Sequence, residues 1–264
     1  MEFTLNNNLE NDLLDIVKIK PDDALILEIL TNLNEKGFYC LKNSIDTNRL
    51  NKLNIELADI INKKGKRYFS IVNICNNIES IFNIFEKSEY LKIYLRKLAG
   101  KNNFKKLNNS DTLNVLRVVT GENSDRQSFR FHYDAFIITA LIPLIIPSGT
   151  IDNTGHLISF KNSRNIRKYV LFNLLEKILI QNYFSQKIIS IFVKRNLIHY
   201  LNIIEPGNIY FFYGYRTLHA NLPVNKDFIR ATMLYHFGNP HEKSFFMENL
   251  KRFRHFKERI NLNK

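Results

Sequence analysis

Near Gly100 the spacing of apolar residues along this chain changes period. Before it the spacing is helical. Leu25, Ile26, Leu30 and Leu33 form one stripe behind Pro21, Asp22 and Asp23, which suit a helix start, and Gly37 suits its end. Leu50, Leu53, Leu57, Ile60 and Ile61 form a second stripe behind the capping residue Asp46. Tyr90, Leu91, Tyr94, Leu95 and Leu98 form a third, over residues 88–100. A short strand is expected at 37–41. After Gly100 the segments become short, β-branched and aromatic, with strands expected at 113–119, 128–133, 136–146, 156–160, 203–212 and 228–237. Residues 166–201 interrupt them with room for two helices. Helices first, then a mostly antiparallel sheet with one helical insertion, is an α+β pattern. Residues 1–20 read as a polar leader and 21–264 as a single domain.

The 264 residues carry 38 Lys and Arg against 25 Asp and Glu, a formal charge of +13. That excess suits polyanions: nucleic acid, acidic lipid or a phosphorylated or carboxylated small molecule. Part of it reflects a general richness in Lys, Asn and Ile. Cys40 and Cys75 are too few and too far apart for a disulfide scaffold or a zinc ribbon. A cytoplasmic, reducing setting is therefore expected. The longest nearly apolar run, 135–147, is too short to cross a bilayer, and the acidic start has no signal-peptide core.

Chemistry concentrates at Phe131-His132-Tyr133-Asp134. If these lie on a strand, His132 and Asp134 point to one side, about 7 Å apart. A metal needs a third ligand, and among the seven histidines His219 is best placed. Two His and one carboxylate on one face of an octahedral ion leave three positions open, the ligand set of non-haem Fe(II) oxygenases. Arg230 follows eleven residues after His219 on an apolar strand, where an unpaired guanidinium is costly. Its fork suits a carboxylate such as that of 2-oxoglutarate, and Thr232 shares its strand face.

With these pieces in order, the sequence resembles the phytanoyl-CoA dioxygenase-like branch of the Fe(II)/2-oxoglutarate-dependent oxygenases over about residues 25–238. The resemblance runs through Glu35 to Lys42, His132 and Asp134, Ile138 to Leu144, Asn153 to Leu157, Lys161 to Ser163, Glu205 to Asn208, His219 and Arg230. It implies a double-stranded β-helix, or jelly roll, flanked by helices. It also implies His132, Asp134 and His219 as iron ligands, Arg230 as the clamp on 2-oxoglutarate, and O2 as oxidant. By the same resemblance Thr139 helps hold that carboxylate and Arg117 faces 2-oxoglutarate. The reaction expected is hydroxylation of an unactivated C–H bond, with desaturation and epoxidation as alternatives.

Arg130, where such proteins often carry an aromatic residue, is expected to face the pocket. With Arg167 it would bind an anionic substrate: an acyl-CoA, a lipid-linked compound or an acidic sugar. Arg164, Lys168, Lys194 and Arg195 are expected to ring the entrance. The insertion reads as a lid or dimer face in a monomer or homodimer, and its mixed apolar and basic composition permits peripheral membrane contact. His156, His199, His236, His241 and His255 read as structural or exposed. The basic stretch 251–259 reads as a solvated helix, so nucleic acid is disfavoured as a partner. The competing interpretation is a non-catalytic jelly roll that binds nucleic acid or acidic membrane through its charge.

Overall fold

The computed structural model describes residues 15–100, 112–121, 124, 127–166, 170–195 and 200–240. The helical first third forms as its caps dictate. Helix α1 (Asp23–Lys36) begins where the Asp22 carboxylate accepts from the Leu25 amide, and ends at Gly37 in the left-handed region (φ 75°). After strand β1 (Phe38–Leu41), the Asp46 carboxylate caps α2 (Thr47–Lys64), which buries Leu50, Leu53, Leu57 and Ile61. Strand β2 (Phe69–Val72), a short helix α3 (Asn83–Lys87) and α4 (Glu89–Gly100) complete this layer.

The expected leader is shorter than 20 residues. Ile16 and Val17 are fully buried, and Val17 forms a β-bridge with Ile45. The Asp15 carboxylate accepts from the Ser88 hydroxyl at 2.5 Å and the Tyr90 amide at 3.0 Å, which fastens this segment to the start of α4. Two apolar side chains and one capping acid bring 15–20 into the core.

Strands β3 (Thr112–Val119), β4 (Ile138–Ile145), β7 (Ile209–Phe212) and β9 (Arg230–Phe237) join β1 and β2 in a six-stranded sheet of order β1-β7-β4-β9-β3-β2. Strands β5 (Leu157–Phe160), β6 (Tyr200–Asn202) and β8 (Leu218–Asn221) form a three-stranded sheet of order β6-β5-β8. All pairings are antiparallel. Helices α5 (Val170–Gln181) and α6 (Tyr183–Lys194) leave the small sheet after β5 and return at β6. The outer face of the large sheet packs on α1, α2 and α4 through Leu116, Ile142, Phe211, Met233 and Tyr235. That helical cover leaves the opposite face of β9 free to carry Arg230, Thr232, Leu234 and His236 into a cavity between the sheets.

Candidate metal centre

His132 does not lie on a regular strand. Ser128 and Phe129 form a turn in which Phe129 has φ 51°, and His132 makes an isolated bridge to His219. Its amide donates to the His219 carbonyl at 3.0 Å, and the His219 amide returns the bond at 3.1 Å. Cross-strand neighbours of this kind hold their side chains side by side, and the two imidazole centroids stand 4.4 Å apart. The Asp134 amide donates to the Gly214 carbonyl at 2.9 Å, which brings its carboxylate under both rings. The Asp134 Oδ1 atom lies 3.8 Å from His132 Nε2 and 3.6 Å from His219 Nε2.

Both imidazoles are oriented from behind. His132 Nδ1 contacts the Arg130 carbonyl at 2.8 Å and His219 Nδ1 contacts the Thr217 carbonyl at 2.9 Å. A carbonyl can only accept, so each Nδ1 carries a proton, and each Nε2 is the ring nitrogen that faces Asp134. The Thr139 hydroxyl donates to Asp134 Oδ2 at 2.6 Å and meets His236 Nδ1 at 2.9 Å. One oxygen of Asp134 is thereby held by the protein and the other left toward the histidines. Burial and the neighbouring His219 push His132 well down, so it is a neutral ligand at neutral pH. Burial raises the Asp134 carboxyl, but His219, His236, His132 and the Thr139 hydroxyl outweigh it and keep the group ionised.

This set fits a metal. The three donor atoms all lie within 4.8 Å of one another. Ligands roughly 2.1 Å from an ion and at right angles to each other stand roughly 3 Å apart, so the three donors would draw inward by roughly 1 Å to close on an ion.

Arg230 lies 1% exposed in the same cavity, whose volume is about 970 Å³. Its Nε donates to the Gly155 carbonyl at 2.7 Å and its Nη2 to Asn221 Oδ1 at 3.1 Å, while Nη1 reaches Thr232 Oγ1 at 3.4 Å. Every one of these partners is neutral. Burial, and Arg117 beside it, push the guanidinium down to about 9, which still leaves a cation at neutral pH. The Arg117 side chain also lines the cavity, lies over the Tyr68 ring at 5.7 Å and has a buried Nε without a hydrogen-bond partner. Among the described residues neither cation has a carboxylate partner, which makes the cavity receptive to anions.

Thr139 is committed to Asp134 and His236, on the metal side of the cavity, and Thr232 is the hydroxyl beside Arg230. Arg130 lines the cavity from its exposed rim, with its Nη1 donating to Gln127 at 3.2 Å. Arg164 is not at the entrance. It is 6% exposed, pairs with Glu176 at 2.9 Å and lies between the Tyr133 and Tyr215 rings, 3.9 and 4.3 Å from their centroids. An acid within reach and two aromatic faces draw this guanidinium inward. Arg167, Lys168 and His199 lie outside the described residues, as do His241, His255 and the stretch 251–259.

Three contributors escape a reading by motif. Asn221 is accessible to one in principle, two residues after His219 on the same strand face. Gly214 is not: a Cβ there would stand 2.1 Å from Asp134 Oδ2, a closeness that only the fold creates. Gln186 on α6 grips the metal loop, its Oε1 accepting from the Phe131 amide at 2.7 Å and its Nε2 donating to the Phe131 carbonyl at 2.9 Å.

No family model matches the sequence, and no curated protein matches it. Solved structures do. A prolyl 4-hydroxylase from Phytophthora capsici superposes with TM-score 0.55 at 14% identity, over 93% of this chain and 78% of that one. HygX from Streptomyces hygroscopicus, with nickel and 2-oxoglutarate bound, gives 0.54 at 13% identity over 83% and 88%. The epimerase SnoN, in complex with Fe3+ and alpha ketoglutarate, gives 0.52 at 11% identity over 82% and 85%. The chain has their double-stranded β-helix fold. At these identities the likeness is one of architecture, and chemistry has to be argued from the residues.

Proposed function

We propose that the chain is an Fe(II)- and 2-oxoglutarate-dependent oxygenase. One observation carries the reading. His132, Asp134 and His219 converge, with each Nε2 facing Asp134, in a cavity that also holds the buried, carboxylate-free guanidinium of Arg230. Metal and co-substrate, when bound, would supply the oxidising chemistry. The chain's own part is to hold the ion on one face through the Nε2 atoms of two imidazoles and one carboxylate oxygen. Arg230 would take the far carboxylate of 2-oxoglutarate in a bidentate grip, with Thr232 beside it, and Arg117 supplies a second positive charge. Thr139 and His236 keep Asp134 in the orientation the ion requires.

The order of sequence motifs supports the phytanoyl-CoA dioxygenase-like branch within this class. Hydroxylation is the outcome we assign: Asp134 occupies the position a halide would need, so halogenation is disfavoured. An anionic substrate is supported by Arg130 at the rim and by the net charge of +13. The free thiols of Cys40 and Cys75 suit a reducing, cytoplasmic setting. Among the described residues no helix is long and apolar enough to cross a membrane.

The test is succinate formation from 2-oxoglutarate with Fe(II) and air, in wild type and in His132→Ala. Turnover that depends on Fe(II) and vanishes in the variant is expected. Tight metal binding without succinate from either protein would favour a non-catalytic jelly roll.

A further inference from the structure

The insertion leaves more of its apolar surface exposed than it buries. Its polar side chains face the barrel: Asn173 is buried, Glu176 pairs with Arg164, and Gln186 grips the backbone of Phe131. Val193, Ile180 and Ile189 pack inward beside Phe131 and Leu218, and most of the other large apolar side chains face away. Leu171, Leu175 and Ile178 form one stripe on α5, and Phe184, Ile188 and Ile191 form another on α6, all between 39% and 72% exposed. Of the eighteen large apolar residues exposed among the described residues, thirteen fall between 171 and 203, and the other five are scattered singly. Helices on a globular domain normally turn such stripes inward, and a contiguous apolar face of this kind marks a docking surface.

Charge identifies what docks there. By sequence, residues 166–201 hold six Lys and Arg and one acid, Glu176, whose carboxylate is engaged by Arg164 at 2.9 Å. A second copy would set like charges against each other across a two-fold interface. An anionic bilayer offers what both features require: acyl chains for the stripes and head groups for Lys187 and Arg195, whose long stems can reach up to them. We infer that the α5–α6 hairpin is a peripheral docking surface for anionic lipid bilayers. Gln181, Tyr183, Gln186 and Lys187 of the same hairpin line the cavity, so docking would turn its mouth toward the lipid. The inference stands on surface chemistry and does not need the oxygenase reading.

The test uses the full chain and flotation with vesicles of phosphatidylcholine alone or of equimolar phosphatidylcholine and phosphatidylglycerol. Flotation with the anionic vesicles only, weakening as salt is raised, is expected. Phe184→Asp with Ile191→Asp should cut it roughly tenfold or more, because two inserted apolar groups become charges. Since the chain has no tryptophan, Phe184→Trp adds a single reporter that serves even if the double variant fails to fold. Its emission should shift to the blue on anionic vesicles and be quenched by brominated acyl chains. No flotation, equal flotation on neutral vesicles, or an unshifted indole emission from the Phe184→Trp protein would overturn the inference. So would a dimer dissolved by the double substitution in place of vesicle binding. None of these readouts involves succinate, so failure here leaves the oxygenase reading untouched.

Discussion

Replacing Gly214 by alanine should empty the metal site without unfolding the protein. The Cβ would stand 2.1 Å from Asp134 Oδ2, 2.7 Å from Thr139 Oγ1 and 2.8 Å from Asp134 Cβ. An ordinary carbon–oxygen contact is about 3.3 Å, so the carboxylate must retreat by about 1.2 Å. Metal sites tolerate deviations of about 0.2 Å. The loop cannot retreat as a whole while the Asp134 amide remains bonded to the Gly214 carbonyl at 2.9 Å. Asp134 therefore turns away from the ion and from Thr139. Disturbing groups behind a ligand typically lowers affinity by about 10- to 100-fold. Displacing the ligand itself should reach at least the upper end, about 2.7 kcal/mol. Mn(II) can stand in for Fe(II), with free Mn(II) followed by electron paramagnetic resonance during titration. Gly214 is not among the left-handed glycines, so alanine costs little backbone strain there. Gly207 is the control: at φ 87° with open space around it, its alanine variant should lose about 1 kcal/mol of stability and keep its metal affinity. Wild-type Mn(II) affinity in folded Gly214→Ala would refute the assignment of Asp134 as a ligand.

Arg230→Lys should weaken 2-oxoglutarate about tenfold or more by calorimetry on the Mn(II) form, because a point charge cannot reproduce the fork that also holds Gly155 and Asn221. Unchanged affinity would remove Arg230 from that role. Arg130→Glu should spare substrate-free 2-oxoglutarate consumption and suppress product formation on an anionic substrate, more so at low salt; equal loss of both would point to damage at the iron. Acid should destabilise the metal-free protein. Burial lowers His236 despite Asp134 beside it, so below about pH 6.5 the unfolded chain binds more protons than the folded one. The stability this histidine contributes is complete above that pH and lost as pH falls, with a slope of up to about 1.4 kcal/mol per unit. Urea midpoints measured from pH 7 to 5 should therefore fall more steeply in wild type than in His236→Asn, and a rise on acidification would contradict the sign.

Local signals are legible where local physics decides. Asp22 and Asp46 cap helices because a carboxylate satisfies amides three residues away, and the apolar stripes of α1, α2 and α4 are the ones that pack. Strand β9 is buried along almost its whole length, as its composition requires. Strand β8 leaves little trace because Leu-His-Ala-Asn carries no β-branched side chain. The ligand pair His132 and Asp134 is correct for a partly mistaken reason. Alternation along a strand does not align them; hydrogen bonds to His219 and Gly214, eighty and more residues away, do. Arg164 departs from its expected place for the same cause, since its partners Glu176, Tyr133 and Tyr215 meet only in the folded chain.

The grip of the hairpin on the metal loop has a thermodynamic consequence. Gln186 clasps the residue before His132, and Arg164 joins Glu176 of α5 to the face of Tyr133, the residue between the two ligands. Hairpin position and ligand geometry are therefore joined by direct contacts. If steadying α5 and α6 tightens metal binding, metal must steady the hairpin by the same factor, because coupling between two binding events is reciprocal.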